Sequence, residues 1–299
     1  MTVPGPKPAQ QNNTGKYCLA VQSGGMTAAY HVGIIQGLKK RFGFGQLHRV
    51  VGSSGAIATY AYLASGQENR AQECWERLVQ SGNLVRFKTH PLGKGIMNID
   101  YLVDSLMKKI ILLDVPALLA SPIELGMCVS DASTGNARLF TQRQGYDIFE
   151  ILRASSAIPY FYGKKVAIDG RDYYDGEIGS VTGLDQVLEE KNILVVLTRP
   201  GVPLIKMIWL RKLLRWLLIR NETEAVQNAI WTIPSRYDQL PTFISRLKQQ
   251  GKNIAVIRPR QRLAMKRIDS RLEKLRQTIR QGYDDVINNN ELENFFKNL

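Results

Sequence analysis

The chain has 299 residues, 44% of them hydrophobic and 8% aromatic, enough to build a large buried core and too varied for a low-complexity or fibrous chain. Its three cysteines, Cys18, Cys74 and Cys128, stand far apart with no CxxC pair, which argues against a disulfide framework or a zinc site and points to a reducing compartment. The formal charge is +14, and from residue 201 onward 19 Lys plus Arg face 9 Asp plus Glu, so nucleic acid or an anionic membrane surface is the natural partner of the last third.

Residues 1–16, "MTVPGPKPAQQNNTGK", hold no apolar core and read as a disordered tail rather than a cleavable signal peptide. No run of about 18 uncharged apolar residues exists, which argues against a spanning helix. A cytoplasmic protein, peripheral to the inner membrane surface at most, is the expectation. "KYCLAVQSGG" is a short apolar strand ending in glycines, and "MTAAYHVGIIQGLKKRF" (26–42) carries helical spacing up to Gly43. A second strand, 45–51, runs into "GSSGA" and a helix follows to Ser65–Gly66. Two strand–Gly/Ser–helix units in succession predict a parallel α/β sheet. Further on, "QECWERLVQS", "NIDYLVDSLMKKIILL" and "YDIFEILRASSA" read as helices and "IELGMCVSDASTGNARLFT" as a strand pair. "KKVAIDGRDYYDGEIGS" reads as a hairpin, "NILVVLTRP" and "NIAVIRP" as strands, and the C-terminal end as a polar helix.

Three segments carry chemistry when read together. "GSSGA" approximates the G-x-S-x-G elbow, with Ser54 central, Gly52, Ser53 and Gly55 around it, and Ala56 where a last glycine would stand. The plain alternative is a tight strand–helix turn with serine as the N-cap. "QSGGMTAAYHVG" places Gly24 and Gly25 between a strand and a helix, where backbone N–H groups and the helix N-terminus attract an anion. It lacks G-x-G-x-x-G, so a dinucleotide site is not implied. "YYDGEIG" ends a hairpin with Asp175 and Gly176, an ordinary turn pair by itself. A serine nucleophile needs a base. His31, His48 and His90 all sit where a structural or surface role suffices, which leaves Asp175 as the candidate base.

In these motifs and in their order the chain resembles the patatin-like phospholipases, lipid hydrolases with a Ser–Asp dyad. "SGGMTAAYHVG", "VVGSSGAIATYAYLASG", "RASSAIPYFY" and "IDGRDYYDGEIG" carry the resemblance, and "NIDYLV", "VVLTRP", "IAVIRP" and "GYDD" extend it over about residues 17–290. The resemblance implies a three-layer α/β/α fold with a mostly parallel sheet: a catalytic core over 17–200 and a basic, mostly helical region over 201–299. It implies Ser54 as nucleophile, Asp175 as base, and the amides of Gly24, Gly25 and Met26 as oxyanion hole, acting on phospholipid or another lipid ester with no cofactor and no metal. Ser23 stands where that family has a third glycine, Thr27 where it has Arg or Lys, and Glu177 where it has a small residue. Glu177 brings a second carboxylate close enough to raise the pKa of Asp175. A non-catalytic lipid-surface or partner-binding protein and a lipid acyltransferase are the alternative readings.

"LIKMIWLRKLLRWLLIR" (204–220) sets Arg211, Lys212 and Arg215 within one arc and leucines and tryptophans opposite. That pattern suits a helix lying on an anionic membrane surface, or a core helix with snorkelling cations. No nucleic-acid-binding pattern appears, and nucleic acid is not an expected partner.

Overall fold

The computed structural model describes residues 15–85, 96–199 and 219–299. Residues 1–14 of the expected tail, His90 and positions 204–218 of the basic segment lie outside the described residues.

The strands form an eight-stranded mixed sheet. β1 (Tyr17–Val21) lies between β2 (Leu47–Gly52) and β7 (Asn192–Val196), β3 (Glu124–Asp131) follows β2, and β8 (Asn253–Ile257) follows β7. The four pairings among these five strands are all parallel, whereas at the β3 edge β4 (Ala137–Thr141) and β6 (Arg171–Asp175) pair with β3 antiparallel and β5 (Val166–Ile168) closes the edge antiparallel to β6. Parallel neighbours need long crossovers. Helices α1 (Tyr30–Arg41) and α2 (Ser54–Ala64) begin them in the two opening units.

Every residue of β1 is buried, the signature of a strand covered on both faces. Tyr17, Leu19 and Val21 join the larger core with α1 and α2, whereas Cys18 and Ala20 join Leu240, Ile244 and Leu247 of α6 (Glu224–Gln249) on the other face. The result is a three-layer α/β/α arrangement. The expected helix at 26–42 starts as a 3-10 turn, Gly25–Ala29, and becomes α-helical at Tyr30. The expected helix over "NIDYLVDSLMKKIILL" is a π-helix, Tyr101–Ile110.

The C-terminal residues add a strand to the sheet as well as helices to its surface. β8 pairs with β7, while α7 (Leu272–Ile287) crosses α1 at glycine contacts. A methyl group on Gly33 would overlap the Ile279 carbonyl, and one on Gly282 would overlap the Tyr30 carbonyl. The two helix backbones touch because neither residue has a side chain.

Gly33→Ala is therefore expected to destabilise the fold by about 1–3 kcal/mol, although alanine is the better helix former by about 1 kcal/mol. Gly45→Ala, with no atom near the added methyl, is the control and should stay within about 0.5 kcal/mol. Chemical denaturation midpoints of the two variants check this.

Candidate active site

β2 ends at Gly52, Ser53 is extended, and α2 starts at Ser54. Ser53 makes no side-chain cap bond, so the N-cap role of this serine is not realised. Ser54 has φ 60, one of two positive-φ non-glycine residues among those described. Such a conformation costs about 1–3 kcal/mol in a non-glycine residue and persists only when neighbours over-determine it. One such neighbour is Ser155, at the C-terminal end of α5 (Ile148–Ser155). Its Oγ accepts the Ser54 N–H at 3.1 Å while its hydroxyl donates to the Cys128 carbonyl at 2.7 Å. Gly55 and Ala56 form the first turn of α2, with Gly55 set against the Gly25 carbonyl.

Asp175 arrives from the other direction. The β5–β6 hairpin turns at Asp169 and Gly170, both at positive φ, and β6 ends on Asp175. The Asp175 N–H donates to the Ala157 carbonyl at 3.0 Å, and the Ser130 hydroxyl donates to the Asp175 carbonyl at 2.8 Å. Its Oδ1 accepts the Glu177 N–H at 2.8 Å, capping the 3-10 turn that Gly176 begins. Oδ2 is buried and makes no well-formed hydrogen bond, although the Ser54 hydroxyl is near enough to favour the charged carboxylate. Catalytic hydrogen bonds are commonly long in the absence of substrate. Ser54 and Asp175, 121 positions apart in sequence, thus share one buried place, at 5% and 0% exposure.

Burial pushes the Asp175 carboxyl up from 3.8 to about 7, with Glu177 adding to the rise; the Glu177 N–H, the Ser54 hydroxyl and Arg267 pull the other way. Burial also disfavours the Glu177 anion, yet the Arg267 guanidinium outweighs it and, with Arg199 and the Tyr237 hydroxyl, holds that carboxyl at about 2. Arg267 donates to both Glu177 oxygens, at 3.2 and 2.6 Å, and Tyr237 donates to Oε1 at 2.9 Å.

Gly24 and Gly25 follow β1, and Gly25 takes the left-handed φ of 55 that glycine tolerates best. Among the described residues neither N–H has a hydrogen-bond partner. Met26 differs from the expectation: its N–H is already donated to the Arg267 carbonyl at 3.1 Å. Thr27 closes the turn instead of presenting a cation, its hydroxyl donating to the Gly24 carbonyl at 2.8 Å. The loop is braced from below by His31, whose Nε2–H donates to the Gln22 carbonyl at 2.8 Å. Burial lowers the His31 pKa to about 4, so it stands neutral and structural. His48 lies 3.1 Å from Glu190, away from this site.

Beside Gly55 lies a small apolar cleft of about 20 Å³, among Ala58, Tyr62, Trp75, Leu78, Leu102 and Met107. All three cysteines are free and buried. Among the described residues no His, Cys, Asp and Glu side chains group to hold a metal, and no helix is long and apolar enough to cross a membrane. Sequence reasoning missed Ser155, Arg199, Tyr237 and Arg267. Ser155 lies in the singled-out "RASSAIPYFY" and Arg199 in "VVLTRP", while Tyr237 and Arg267 carry no local signal.

A family model of patatin-like phospholipase matches residues 19–188, and a model of a domain of unknown function (DUF6363) matches residues 224–297. The uncharacterized protein YjjU of Escherichia coli strain K12 is 24% identical over 275 residues, spanning 90% of this chain and 75% of that protein. VipD from Legionella pneumophila matches in structure with a TM-score of 0.46 and 15% identity, over 94% of this chain; the chain spans 66% of the solved VipD chain.

A carboxyl whose folded pKa lies above its unfolded value contributes stability fully below about pH 4 and loses it as pH rises through about 7. Asp175→Asn keeps an oxygen for the Glu177 N–H and removes the buried charge. It is expected to be more stable than the parent at pH 8, by about 1 kcal/mol or more, with the gain vanishing at pH 4. Thermal unfolding of both proteins across that range checks the sign.

Proposed function

The chain belongs to the patatin-like phospholipase family, and on that premise we propose that it is a serine acyl hydrolase of phospholipids or other lipid esters. Ser54 is its nucleophile and Asp175 its base. The observation that carries the reading is the strained Ser54, held at φ 60 beside a wholly buried carboxylate. A catalytic group held in a rare backbone conformation is the mark of an elbow that lifts its hydroxyl toward substrate.

The Ser54 Oγ adds to the ester carbonyl carbon while Asp175 Oδ2 takes the hydroxyl proton. The carbonyl oxygen becomes an anion, and the amides of Gly24 and Gly25, without a partner among the described residues, are the donors for it. As the bond to the alcohol breaks, Asp175 returns the proton to the departing alkoxide. Water then repeats the sequence on the acyl-enzyme and releases the fatty acid. A base near neutrality both accepts and returns a proton at ordinary pH. The side chains beside Gly55 are apolar and would not solvate a polar group, and the cleft there, about 20 Å³, has to widen to take an acyl chain. Residues 17–200 hold the catalytic groups in this reading, and the described residues 219–299 add β8 to the same sheet and helices to its surface. A peripheral contact with an anionic inner-membrane surface through 204–220 rests on the sequence pattern, since positions 204–218 lie outside the described residues.

A fluorophosphonate probe is expected to label the parent protein and not Ser54→Ala. On a panel of lipid esters, Ser54→Ala and Asp175→Asn should each lose about 10³-fold or more in kcat. Liposome binding without ester turnover, in protein shown to be folded, would favour the non-catalytic lipid-surface reading. Because the base must be ionised, kcat/KM should rise with pH and reach half its plateau near pH 7; a pH–rate profile on a neutral short-chain ester measures it.

A further inference from the structure

Side chains from three later parts of the chain converge on Glu177. Arg267, between β8 and α7, grips both its oxygens, at 3.2 and 2.6 Å. Tyr237, on α6, donates to Oε1 at 2.9 Å and to the Val181 carbonyl at 3.3 Å. Arg199, just after β7, stands 3.9 Å from Oε1, with its guanidinium 3.9 Å from the centre of the Tyr237 ring. Arg267 also reaches the glycine loop with its main chain. Its carbonyl accepts the Met26 N–H at 3.1 Å, and a methyl group on Gly25 would sit 2.8 Å from that same oxygen. One residue therefore holds the loop after Asp175 with its side chain and the glycine loop with its backbone.

We infer that Arg267, assisted by Tyr237, is a positioning residue that ties together the two loops flanking Ser54 and neutralises Glu177 beside Asp175, giving the region matched by the domain of unknown function a part in the active site. The inference rests on the reading of Ser54 and Asp175 as the reacting pair. Its physical ground is the placement of two buried carboxylates two residues apart. Unpaired, Glu177 would be a desolvated anion opposing the ionisation of its neighbour. Paired bidentately, its charge is met by a planar fork of matching shape.

The other charged and titratable groups around the pair are spent elsewhere or weaker. Arg236 of α6 donates to the Ile178 and Gly179 carbonyls. Asp185 is held by Ser180 and Gln186. Tyr160 faces both Arg199 and Arg267, and Cys128 of β3 is a buried neutral thiol next to Asp175. Arg199 stays about one-third exposed and shares the carboxylate that Arg267 already occupies.

The test follows the titration of Asp175 on its ¹³C-carboxyl resonance, assigned by its loss in Asp175→Asn, alongside the pH profile of kcat/KM. Arg267→Met should raise the midpoint by about 1 pH unit and Glu177→Gln should lower it by a similar amount. The double variant should stay close to Glu177→Gln alone, because Arg267 acts on Asp175 through Glu177, and Arg267→Lys should fall between parent and Arg267→Met. A midpoint unmoved by Arg267→Met, or moved equally with and without the Glu177 carboxyl, would overturn the inference. Should Arg267→Met fail to fold, Arg267→Lys measured with and without Glu177→Gln makes the same comparison. If Ser54→Ala keeps full ester turnover, the hydrolase reading falls, and the carboxyl resonance still decides the coupling.

Discussion

A carboxyl group with no exposure at all, next to a serine in a left-handed backbone conformation, is the constraint around which the rest of this structure is arranged. Each feature is unfavourable alone. Desolvation penalises the Asp175 anion, and the Ser54 backbone is strained. Neither would persist on a free loop. Both persist here because each residue sits at the end of a sheet strand, β2 for one and β6 for the other, with β3 between them in hydrogen-bond register to both.

The tie between the two residues is a short segment that holds each of them by its backbone N–H. Ser155 holds the Ser54 N–H and hangs from the Cys128 carbonyl of β3, and Ala157 accepts the Asp175 N–H. Two residues of one short segment, Ser155 and Ala157, thus set the backbone positions of both ends of the proposed dyad. Their own place is fixed by α5, whose Ile151 and Leu152 are buried in the larger core. Rigidity at the site is a property of core packing passed on through two hydrogen bonds.

Ser54, Asp175 and the glycine loop were legible in the sequence because each is encoded within a few residues. An elbow needs small neighbours and a hairpin needs its Asp–Gly turn, and a strand before glycines announces a βα junction. The parallel sheet followed from two such junctions in a row. The ligation of Glu177 was not legible. Arg267 lies 90 positions away in a stretch rich in Lys and Arg, where one guanidinium turned inward leaves no local mark. The Met26 amide was misjudged for the same reason, since a distant carbonyl took it. Thr27 was read as a lost cation, and the structure gives its hydroxyl a different task, closing the turn on Gly24. The π-helix over Tyr101–Ile110 follows helical periodicity too closely to be told from an α-helix.

Asp175 and Glu177 show how far environment decides the character of one functional group. Both are carboxyls, both are buried, and they stand two residues apart, yet one is driven up to about 7 and the other down to about 2. Desolvation acts on both, so it cannot separate them. What separates them is the distribution of donors. Glu177 receives a bidentate guanidinium and a phenol, while Asp175 receives one backbone N–H and the neighbourhood of a serine. Pairs of titratable groups pushed apart in this way mark where a fold has separated a structural charge from a working one. Had the arginine reached Asp175 instead, that carboxylate would be tied down as a permanent anion, too weak a base to take the proton of a serine. In the proposed reaction the basic C-terminal region therefore matters through where its cation stops, one carboxylate short of the serine.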